Sequence, residues 1–118
     1  MQFGPPKGFT DVSASVNVEK KANGGITKTV VITSTMPSSY PNFDAEPTVI
    51  EANGLTITSK MQIVNNIVIS QYIYDAQQES FMPTNIEAKI EAINNKQDEQ
   101  LPKPEANSVI NIKISRDE

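Results

Sequence analysis

Acid–base chemistry in this chain must run through carboxylates, lysines and tyrosines, because it contains no His and no Cys. That removes the commonest general base, the commonest metal ligand and the sulfur nucleophile together. Three local carboxylate pairs remain as acid–base candidates: Asp44 with Glu46, Asp75 with Glu79, and Asp98 with Glu99. A pair that cleaves a glycosidic bond must face a substrate from opposite sides of a cleft, which neighbours in one loop do not supply. All three pairs fall in expected loops or at a helix end, where a solvated charge is the ordinary state.

The same oxygens could hold a hard cation, but the Asp-x-Asp-x-Asn-Gly pattern of a calcium loop is absent. Zinc would have to be bound without imidazole or thiolate. Neither Gly-x-x-x-x-Gly-Lys-Ser/Thr nor Gly-x-Gly-x-x-Gly occurs, so nothing cradles a phosphate. No serine has a His partner, and adjacent Ser59 and Lys60 would point to opposite faces of a strand. The pairs Thr27/Thr29, Thr33/Thr35 and Thr56/Thr58 lack strict repetition and suit the outer face of a sheet. The chain is therefore expected to be no enzyme, with no catalytic residue, cofactor or metal site.

Charge narrows the partners. Ten basic against fourteen acidic residues give a net −4, with an isoelectric point near 4.8. Such a balance offers no field for nucleic acid or an anionic membrane. Lys20, Lys21 and Lys28 read as a solvated hairpin end. No apolar run approaches the ~20 residues of a membrane span. Residues 1–25 show no basic segment followed by an apolar one, as a secretory signal would. The expectation is a soluble protein made in the cytoplasm without a signal peptide and open to incorporation into a virion or other particle.

Several elements would have to position whatever side chains act. Residues 1–9 read as an extended arm: Pro5 and Pro6 exclude helix, and Phe3 and Phe9 are its apolar anchors. Residues 10–118 form a single β-rich domain. Val12, Ala14, Val16 and Val18 alternate with polar residues, and Asn23-Gly24-Gly25 leads into a return strand from Ile26 to Thr35. In that strand Ile26, Val30 and Ile32 share one face; Thr27, Thr29, Thr33 and Thr35 share the other, with Val31 among them. Residues 34–48 hold three prolines and form a loop presenting Tyr40 and Phe43. A second hairpin turns at Asn53-Gly54. The apolar stretch 61–74 is one bulged strand or two strands turning at Asn65-Asn66, with the turn favoured.

One helix is expected over about 85–98, opened by Thr84 with Glu87 three residues on, a capping box, and carrying Ile86, Ile90 and Ile93 on one face. A last strand runs over 108–115. The fold class is mainly β: a small β-sandwich or partly closed β-barrel of six to seven mostly antiparallel strands with one flanking helix.

With catalysis set aside, function falls to edges and appendages. The expected role is a non-enzymatic structural or assembly protein, acting through protein–protein contacts as a homo-oligomer or part of a larger assembly. At the level of layout alone, phage tail, neck and capsid-decoration subunits are built similarly. Its interface candidates are Phe3, Pro5, Pro6, Phe9, Asn23, Gly24, Tyr40 and Phe43. The alternative is a small acidic binding module, such as an inhibitor or immunity protein, covering a basic site on a target. Neither nucleic acid nor membrane is expected as partner.

Overall fold

The computed structural model describes residues 8–40, 43–97, 99–102 and 114–116. Alternating β-branched residues separated by Asn and Gly turns give three antiparallel hairpin connections. Strand β1 (Thr10–Lys20) returns as β2 (Ile26–Thr35), and β3 (Phe43–Ala45) precedes β4 (Thr48–Ala52). Strand β5 (Leu55–Val64) returns as β6 (Ile67–Ala76); helix α1 (Ile86–Asn94) and a short β7 (Ile114–Arg116) follow. Five strands form one sheet in the order β1-β2-β6-β5-β4, and β3 pairs with β7 as a separate antiparallel ladder.

The turns are set by local chemistry. Between β1 and β2, Gly24 takes φ +91 while the Asn23 side-chain oxygen accepts the Gly25 N–H at 3.0 Å. Asn53 and Gly54 both have positive φ, as a two-residue hairpin turn of the primed type requires. Asn65 and Asn66, at φ 50 and 66, turn the apolar stretch in the same way, so it is two strands.

One face of the sheet is covered. Ile86, Ile90 and Ile93 of α1, with Met82 and Leu101, pack on Ile26, Val30, Ile32, Ile50, Leu55, Ile57, Tyr72 and Tyr74. At the other end, beside the Asn65-Asn66 turn, Phe9, Met36 and Val68 form a smaller cluster with Tyr40 and Met61 against it. The Tyr74 hydroxyl donates to the Pro102 carbonyl at 3.2 Å. Burial first, and then the neighbouring Tyr72, push the ionisation of Tyr74 well above the usual phenol range.

Three expectations are corrected. Among the described residues the sheet does not close: five strands form one open layer under one helix, without the second layer or the closure expected of a sandwich or barrel. The Thr84 capping box does not form. The helix starts a residue later with Asn85 at its N-cap and no side-chain cap bond, because Glu87 is drawn to Lys28 at 2.8 Å. That hydrogen bond holds the Glu87 carboxyl below its ordinary value. The helix also ends earlier than expected, at Asn94: Lys96 adopts φ 63, its N–H bonds the Ile93 carbonyl, and the Gln97 N–H bonds that of Ala92. This is the Schellman closure, with Lys96 in the left-handed position. Of the expected strand 108–115, residues 108–113 lie outside the described residues.

Candidate functional site

The register arranges the sheet's second face as rows of side chains. One row runs Asn17, Thr29, Ile73, Thr58 and Val49 from β1 to β4. The next runs Ser15, Val31, Gln71 and Lys60, and a third Ser13, Thr33, Ile69 and Gln62. Neither α1 nor either apolar cluster lies on this face, because the core residues belong to the alternate positions of every strand. Val31, Ile69 and Ile73 are half-buried by their neighbours, and Val49 is 54% exposed.

Lys60 is the only charged side chain in these three rows. Strand spacing of ~4.8 Å and a two-residue repeat of ~6.7 Å give the rows an area on the order of 500 Å². A monomer's largest apolar patch is usually about 300–600 Å² and often functional. Here β-branched methyls alternate with hydroxyls, so the surface is flat, stiff and only partly apolar. Ser13 and Thr33 already bond each other through their hydroxyls at 2.8 Å.

Charge collects at one end. Glu19, Thr27, Asp75, Thr56 and Glu51 form the row nearest the Asn23 and Asn53 turns. Asp75 is not free there: it accepts from Lys21 at 3.1 Å and from Thr27 at 3.2 Å. A shallow polar cleft of about 230 Å³ lies beside it, lined by residues including Lys21, Asn23, Gly54 and Gln77. It is smaller than the ~300–1,000 Å³ of ordinary ligand pockets, and its carboxylate is already paired. Among the described residues no three acidic side chains gather as a metal site would need. No helix among them is long and apolar enough to cross a membrane. The opposite end is uncharged and apolar: Ile63, Val64 and Ile67, around the Asn65-Asn66 turn, are 39–44% exposed.

The residues named from sequence scatter. Phe3, Pro5 and Pro6 lie outside the described residues, and of Phe43 only its place in β3 is described. Phe9 and Tyr40 meet edge to face, with ring centroids 4.9 Å apart, and Phe9 is 9% exposed as part of the smaller cluster. Asn23 and Gly24 are exposed at the hairpin turn, at the charged end of the sheet. Ile69, Ile73 and Val49 were not singled out from the sequence, and Thr58 was placed only as an outer-face threonine. A signal was available: in residues 67–74 both alternating sets are rich in apolar side chains, as in a strand whose two faces both meet something.

Comparison with known proteins finds no matching family model, no matching curated protein and no matching solved structure. The fold and its surfaces therefore carry the functional argument alone.

Proposed function

We propose that this chain is a non-enzymatic protein acting through protein–protein contacts as a subunit of an assembly, and that the second face of its five-stranded sheet is the contacting surface. The observation that carries the reading is the three-row field around Val31, Ile69 and Ile73, in which Lys60 is the only charge. A flat β-branched face is what one layer of a sandwich presents to the other. A particle subunit, such as one of a virion, is one setting in which such a layer is completed by a neighbour. The small acidic binding module is less well supported, since Lys21 already neutralises Asp75 in the acidic row.

Ile73→Lys and Val31→Lys test the reading. Both positions lie on the face away from the core, so circular dichroism and thermal unfolding should stay close to wild type. The wild-type chain should form species larger than 12.9 kDa by light scattering, and each substitution should reduce them. Deleting residues 1–7, which spares the buried Phe9, measures the arm's share. A monomer indifferent to all three changes, binding a basic protein instead, overturns the reading in favour of the acidic module.

A further inference from the structure

Strand β1 is an outer strand of the sheet, and one side chain already does there what a neighbouring strand would do. The Asn94 carboxamide accepts the Ala14 N–H at 2.7 Å and donates to the Ala14 carbonyl at 2.9 Å. Both backbone groups of Ala14 thus point away from β2. Ser13 to Lys20 pair with β2 without a register break, so backbone direction alternates and Val16 and Val18 present their groups outward as well. The hairpin end agrees: Lys21, of opposite parity, turns its N–H inward to the Gly25 carbonyl at 2.8 Å. Among the described residues nothing pairs with the outer side of Val16 or Val18, and Val18 is 43% exposed.

We infer that residues 16–20 of β1 are a strand-addition edge for a second copy of the same chain, joined antiparallel about a two-fold axis at Val18. Asn94 selects this register. A two-fold at Val16 would need the Ala14 seat that Asn94 fills, whereas one at Val18 leaves it undisturbed. The resulting pairs suit each other: Val18 meets Val18 of the second copy, Glu19 meets Asn17, and Lys20 meets Val16. No like charges stand opposite, which an edge-to-edge pairing must avoid. The pairing does not use the second sheet face, so it stands or falls independently of that proposal.

Light scattering of the full chain carrying Ile73→Lys up to ~1 mM, the range of weak association, should show a mass rising toward twice 12.9 kDa. Added to Ile73→Lys, which disables the second face, Val18→Glu and Val18→Lys should each stay monomeric, and an equimolar mixture should recover the dimer. Because the chain has no Cys, Val18→Cys gives a clean second measurement. On the Ile73→Lys chain a short thiol–thiol cross-linker should join it to a dimer several-fold faster than Phe81→Cys, a position of similar exposure off both β1 and the three rows. An Ile73→Lys chain that remains monomeric throughout, Val18 variants of it that dimerise equally well, or equal cross-linking at both positions would overturn the inference. If Val18 variants of the wild-type chain leave association intact while Ile73→Lys abolishes it, the edge fails and the face stands.

Discussion

Ser34 and Ser70 interrupt the covered face of the sheet at the boundary between its two apolar clusters. Ser34 stands opposite Val68, and Ser70 opposite Ile32. They are 2% and 1% exposed, and neither hydroxyl has a hydrogen-bond partner. A buried unpaired hydroxyl costs on the order of 1–3 kcal/mol, more than the small packing loss of deleting it. Ser70→Ala should therefore raise the urea midpoint by the equivalent of about 1 kcal/mol with an unchanged m-value. A loss of similar size would show that the hydroxyl is bonded. Strand alternation places Ser34 beside Val30 and Ile32, but a serine on the core side of a strand carries no sequence mark of whether it is satisfied.

The elements that were legible in the sequence are those whose ends are set by neighbours in the chain. The Asn-Gly and Asn-Asn turns need only the positive φ that these residues tolerate, and all three hairpins fall where those residues stand. The ends of α1 were less legible because distant groups compete for them. Glu87 could serve Thr84 locally, yet Lys28 of β2, with 13% of its side chain exposed, takes it instead. At the other end Lys96 occupies the left-handed position that Gly fills in most Schellman closures, at φ 63. An L side chain in that region is strained by ~1 kcal/mol relative to glycine. Lys96→Gly should stabilise the fold by up to about 1 kcal/mol, seen as a rise in melting temperature with the helical signal unchanged. A drop would mean that the Lys96 side chain contributes more than its backbone costs.

At the scale of the molecule, closure was the part that local pattern could not disclose. Alternation shows that a strand has two distinct faces, but not whether the second is covered by more of the same chain. Strands β2 and β6 carry β-branched residues on both sides, yet among the described residues the two apolar clusters lie on one side only. The covered side is itself uneven along the strands. Among the described residues α1, Met82 and Leu101 close the large cluster over Ile26, Tyr72 and Tyr74, while Phe9 and Met36 cover Val68 at the far end. Little apolar area is buried there, and Ile63, Val64 and Ile67 remain 39–44% exposed around the turn. Local opening follows the sparsest packing. Native-state hydrogen exchange should therefore find the amides of 62–68 opening several kcal/mol below the global unfolding energy, and those of 72–76 opening only with it. Phe9→Ala should widen that gap by destabilising the turn end alone. If both stretches exchange with the same free energy, the two clusters act as one cooperative core and the apolar turn is held as firmly as the helix end.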